Sequence, residues 1–152
     1  MMSQVFVSGH KSPDTDSIAA ALSYSYLKRR LGMDAVAVRA GEINKESRFA
    51  LDYFNLEEPI LVTSVERKNP EDEKQKVILV DHNESKQTID GMDDAEVLEI
   101  IDHHRFGDFE SENPIFILVR PVGCVNTVIY GLYKTNHIKP SREIAGIMLS
   151  AI

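Results

Sequence analysis

The chain has 152 residues, 43% of them hydrophobic and 27% charged, the composition of one soluble globular domain, and no apolar run approaches the roughly 20 residues needed to cross a bilayer. Its formal charge of -7 disfavours sequence-independent nucleic-acid binding, which needs a basic face to displace counterions. A single cysteine, Cys124, excludes an intrachain disulfide framework, and the N-terminus lacks the basic start and cleavage site of a secretory leader, so a cytoplasmic protein without a membrane partner is expected.

In chain order, QVFVS (4–8), closed by Gly9, reads as a buried strand. Apolar residues at 18, 19, 22, 26, 27 and 31 recur with a helical period from Asp16 to Leu31. Asp16 or Ser17 is the expected cap of this helix, and Gly32 ends it. DAVAV (34–38) is a second strand, Lys45 to Phe54 a helix, and PILV (59–62) a short strand. ERKNPEDEKQK (66–76) has eight charged residues in eleven and reads as a solvated linker. VILVD (77–81), EVLEIID (96–102) and PIFILV (114–119) are further strands, and 125–136 and 141–152 are helices, the second opened by Pro140 and Ser141. The alternation predicts an α/β fold: a doubly wound, mostly parallel sheet with helices on both faces.

In such sheets ligands bind beyond the carboxyl ends of the strands. The chemically unusual residues collect there. His10, Asp14 and Asp16 follow the first strand, Asp81 and His82 end VILVD, and Asp102, His103 and His104 end EVLEI. Capping and turn chemistry explain one aspartate of GHKSPDTDS (9–17) but neither the second nor His10. Adjacent histidines after a strand-end aspartate are seldom needed for packing. Carboxylates and imidazoles without a thiolate suit Mn²⁺, Co²⁺ or Fe²⁺ better than a structural zinc site, and there are enough for two ions sharing a carboxylate. Two such ions activate a water and clamp phosphoryl oxygens. Neither a Walker loop nor G-x-G-x-x-G is present, and Cys124 reads as a small core residue.

These residues resemble the signature motifs of the DHH phosphoesterases, with Asp-His-His at 102–104. Within that superfamily GHKSPDTDS, VDHNE (80–84), IDHHR (101–105), RPVGCVNTVIY and EIAGIMLSAI are similar to segments of the manganese-dependent, family II inorganic pyrophosphatases. The resemblance covers residues 5–152. It implies hydrolysis of pyrophosphate to two phosphates by a hydroxide bridging two Mn²⁺ ions, with Co²⁺ as a substitute and Mg²⁺ accompanying the substrate. His10, Asp14 and Asp81 would hold the first ion, and Asp16, Asp81 and His103 the second, with Asp81 bridging. His104 would contact the phosphate or leaving group beside Arg105, and Asp102 would orient a histidine. Ser12 stands where the family usually has Asn.

The resemblance also implies that residues 1–152 are the N-terminal domain of a longer enzyme, ending before a last metal-binding aspartate and a basic substrate domain, so that this part alone is inactive. IFILV (115–119), apolar and late in the fold, could form an edge, and the resemblance implies a homodimer, expected to pair along it. The alternatives are a DHH phosphodiesterase or exopolyphosphatase, and a non-catalytic metal- or nucleotide-binding module.

Overall fold

A computed structural model describes residues 3–152. Its strands are β1 (Val5–Ser8), β2 (Ala35–Arg39), β3 (Ile60–Leu61), β4 (Lys76–Val80), β5 (Glu96–Asp102) and β6 (Phe116–Val119). Its helices are α1 (Thr15–Arg30), α2 (Lys45–Tyr53), α3 (Val125–Thr135) and α4 (Arg142–Ala151). The strands form one sheet in the order β3-β2-β1-β4-β5-β6, and every pairing is parallel. The chain therefore winds outward from β1 in one direction and then in the other, as the alternating sequence predicts. The reversal falls between β1 and β4, where the carboxyl ends of two adjacent strands diverge into separate loops.

Residues alternate between the two faces of each strand. Val5, Val7, Ile78, Val80 and Ile101 pack under α1, α3 and α4 with Tyr24, Val128 and Tyr133. Ile18, Ala19, Ala50, Leu51 and Ile147 join α2 to α1 and α4 on that same helical side. The opposite face, with Val38, Val77, Leu79 and Ile100, is covered by Val65, Ile89, Phe109 and Ile115 from connecting segments. Helices were expected on both faces. On this second face the connections carry only 3₁₀ turns, Ser85–Gln87 and Met92–Asp94, because the links from β4 to β5 and from β5 to β6 are polar and Gly- and Pro-containing, without an apolar helical stripe.

Two local expectations need correction. The cap of α1 is Asp14, whose side chain accepts from Ser17 N–H at 2.9 Å, rather than Asp16 or Ser17. An extended backbone at Asp14 and the fixed Pro13 turn start the helix two residues earlier. The linker expected over 66–76 also ends one residue sooner, because Lys76 opens β4; it is mostly exposed, as expected, with Arg67 gripping Asp94 through Nε at 3.0 Å and Nη2 at 2.7 Å. Among the described residues, no helix is long and apolar enough to cross a membrane.

Candidate metal centre

Three strand ends deliver the site. After β1 the loop 9–14 presents His10 and Asp14, and α1 then carries Asp16. After β4, Asp81 takes a left-handed backbone (φ 62°), which aspartate tolerates better than most residues, and is 1% exposed. Its N–H donates to Ile101 O at 3.0 Å, so the turn stays stitched to β5. Asp102, fully buried, ends β5 and is followed by His103 and His104.

The two oxygens of Asp81 face different partners. Oδ2 lies 3.3 Å from His10 Nε2, and that same nitrogen is 3.6 Å from Asp14 Oδ1. Oδ1 lies 3.0 Å from His103 Nε2 and 3.9 Å from His104 Nδ1. His10, Asp14 and Asp81 thus form one compact group of potential metal ligands, and Asp81, Asp102, His103 and His104 another. Asp81 belongs to both. Asp16 lies outside these two groups but approaches His103 Nε2 at 3.4 Å through Oδ2.

The imidazoles are oriented by backbone carbonyls. His10 Nδ1 is 2.7 Å from Lys11 O, and His103 Nδ1 is 2.8 Å from Val122 O. Each Nδ1 must be the donor there, which leaves Nε2 turned to the carboxylates, the arrangement that prepares a histidine as a metal ligand. Burial opposes the charged form of His10, but the Asp14 and Asp81 carboxylates and the Lys11 carbonyl outweigh it and raise its pKa to about 10. His10 in turn holds Asp14 down at about 2, against burial. Burial and the Asp81 charge raise Asp16 to about 6, and burial likewise opposes the net rise at His103, which the Val122 carbonyl and the Asp81 and Asp16 charges cause. Negative charge is concentrated where neutral Nε2 lone pairs would also converge. That donor set favours a cation, and the nitrogen and oxygen ligands fit Mn²⁺.

The other candidates divide. Asp102 Oδ1 accepts from His103 N–H at 2.7 Å and contacts His104 Nδ1 at 2.7 Å, so the histidine it orients is His104, whose ring remains half exposed. Asn83 Nδ2 holds the other oxygen of Asp102 at 2.7 Å. Arg105 is not drawn into the cluster: its side chain is 86% exposed and Nε contacts Glu84 at 3.1 Å. His82 is fully buried, bonded to Val80 O through Nδ1 at 2.8 Å, and burial lowers its pKa to about 4.

Sequence reasoning missed the residues that hold these candidate side chains in place. Asp16 is clasped by the start of α3: Val125 N–H donates to Oδ2 at 2.8 Å and Asn126 Nδ2 to Oδ1 at 2.7 Å. Asn126 is itself buried and accepts from Ser23 Oγ at 3.0 Å. The asparagine beside a helix start, in the PVGCVN segment, was the available signal. Cys124 is buried, as expected of a core residue, with Sγ 3.6 Å from Thr127 Oγ1.

The chain is similar to known proteins over nearly its whole length. The DHH family, N-terminal domain, matches residues 4–152. Probable manganese-dependent inorganic pyrophosphatases of Exiguobacterium sp. and Bacillus licheniformis are 49% and 50% identical over 151 residues, 99% of this chain and 47% of each relative. A Methanococcus jannaschii protein assigned to the family II inorganic pyrophosphatases superposes with a TM-score of 0.83 at 37% identity, covering 97% of this chain and 47% of that one. An exopolyphosphatase-related protein from Bacteroides fragilis shares the fold, with a TM-score of 0.67 at 19% identity over 98% of this chain and 44% of its own. The chain spans about half the length of the curated relatives it matches. It belongs to the DHH family, whose N-terminal domain is matched from residue 4 to residue 152.

Proposed function

We propose that this chain is the metal-binding half of a manganese-dependent inorganic pyrophosphatase, carrying His10, Asp14 and Asp81 for one ion and Asp81, Asp16 and His103 for the second. The observation that carries the reading is the placement of Asp81, whose Oδ2 faces His10 and whose Oδ1 faces His103. The relatives' names support manganese and pyrophosphate; two ions, replaceable by Co²⁺ and joined by Mg²⁺ with the substrate, complete the proposal.

Bound at these residues, two Mn²⁺ ions would supply a nucleophilic water at neutral pH and positive charge against phosphoryl oxygens. The protein's own part is to hold the ligands and manage the proton. Asp102 fixes His104 through Nδ1, which leaves Nε2 of this half-exposed ring as the atom that, on a protonated imidazole, can give a proton to the departing phosphate. Arg105, exposed beside it, can turn toward a polyanion. The relatives extend well beyond the matched half, and the cations that a pyrophosphate transition state requires are assigned to that region. A cytoplasmic location is part of the proposal. A homodimer along β6 is supported by its position at the sheet edge and by Phe116 and Ile117, 48% and 42% exposed.

Phosphate release from pyrophosphate with Mn²⁺ tests the proposal, using residues 1–152 and a chain extended to the relatives' length. The extended chain should turn over and the shorter one should remain near background, because losing one donor of an electrostatic site commonly costs about 10²–10³-fold. An extended chain that cleaves phosphodiesters or polyphosphate and leaves pyrophosphate intact would overturn it.

A further inference from the structure

We infer that Ser17, on the metal-centre reading above, is a positioning residue: its hydroxyl fixes the orientation of the Asp81 carboxylate and ties it to the loop that carries His10 and Asp14. Ser17 lies in the first turn of α1 and is 1% exposed. Its backbone N–H donates to Asp14 Oδ1 at 2.9 Å, and its Oγ lies 2.8 Å from Asp81 Oδ2 and 3.4 Å from His10 N. One small residue therefore meets all three members of the first ligand group.

The direction of these bonds follows from chemistry. A backbone N–H can only donate, so Oγ accepts from His10, and its single proton is given to Asp81. Oδ2 then spends one lone pair on Ser17 and keeps another for the His10 side. This restrains the terminal torsion of Asp81, which is otherwise broad, so that Oδ1 stays toward His103. The other carboxylate contacts of Asp81 run to histidine nitrogens. Those nitrogens would turn from Asp81 to a bound cation, whereas the Ser17 bond persists with or without one. Gly9 completes the device, because a Cβ there would lie 2.6 Å from Ser17 Cβ and 2.7 Å from Oγ. The loop can press on the hydroxyl only while residue 9 lacks a side chain.

The test uses Mn²⁺ alone as the probe, titrated calorimetrically into residues 1–152, with melting of the metal-free protein measured in parallel. Ser17→Ala should weaken the tighter Mn²⁺ step by about 10–100-fold, the usual effect of removing a partner of a metal ligand. The bound-ion electron paramagnetic resonance (EPR) line shape should change, while metal-free melting stays close to wild type. A purely structural role predicts the reverse, lower melting with unchanged affinity and line shape, and that result would overturn the inference. Gly9→Ala displaces the hydroxyl without deleting it and should weaken Mn²⁺ in the same way; if Ser17→Ala fails to fold, unchanged affinity in Gly9→Ala overturns the inference instead. A wild-type chain that binds no Mn²⁺ overturns the metal-centre reading and this inference together, whereas tight binding by both wild type and Ser17→Ala sinks the inference alone.

Discussion

Asp81→Asn is the substitution with the largest expected consequence at the least structural cost. Asparagine keeps the side-chain shape and tolerates the left-handed backbone of φ 62°. The carboxylate sits 3.3 Å from His10 Nε2 and 3.0 Å from His103 Nε2, so at the proposed centre losing its charge would remove one anionic ligand from each of two ions. Losing a partner that only supports a ligand typically costs about 10–100-fold in affinity; losing the shared ligand should cost at least about 100-fold for each ion. In the metal-free protein the change is small. The Ser17 hydroxyl can still donate to the amide oxygen, and repulsion of Asp16 is relieved. A net effect of about 1 kcal/mol corresponds to about 2–4 °C in Tm at this chain length. Calorimetric Mn²⁺ titration with His82→Phe as a neighbour control is the assay, since His82 is buried and bonded to Val80 O. Equal losses in the two variants, or an Asp81→Asn protein that keeps both ions, would refute the bridging role.

Three further outcomes are expected. Asn126→Ala removes the Nδ2 bond to Asp16 Oδ1 and should weaken the second Mn²⁺ by about 10–100-fold while sparing the first; a stepwise isotherm that loses the first ion instead would contradict the assignment of Asp16. Ile117→Lys places a charge on an exposed edge-strand position and should convert a dimer to a monomer by sedimentation; an unchanged mass argues for another interface. Gly146→Ala drives a methyl group into the Phe54 ring and should cost about 1–3 kcal/mol by overpacking, seen as a lower Tm, and an unchanged Tm would show that α2 and α4 pack loosely.

The sheet was legible because its strands are mostly apolar, and two of them run into aspartates: VILVD and EVLEIID emerged as β4 and β5, each followed by a candidate site residue. His10, Asp14, Asp81, His103 and His104 could be proposed from one rule, that ligands gather beyond the carboxyl ends of parallel strands. What holds them in place was harder to see. Ser17, Asn83 and Asn126 are ordinary polar residues in sequence, and only the approach of α1 to the end of β4, of β4 to β5 and of α3 to α1 makes them partners of Asp81, Asp102 and Asp16. The cap of α1 was misplaced by two residues because Asp14 and Asp16 are equivalent by composition, and only the backbone at residue 14 separates them. That the second face is covered by connecting segments rather than α-helices was missed because alternation alone cannot say whether a crossover is helical.

The central claim is that one carboxylate, Asp81, joins two metal ions. EPR of the wild-type chain with two equivalents of Mn²⁺ reads this directly. Ions sharing a bridging carboxylate about 3.5–4 Å apart should give an exchange-coupled signal, and Asp81→Asn should abolish it. Two independent six-line spectra in the wild type, or a coupled signal that survives Asp81→Asn, would contradict the account.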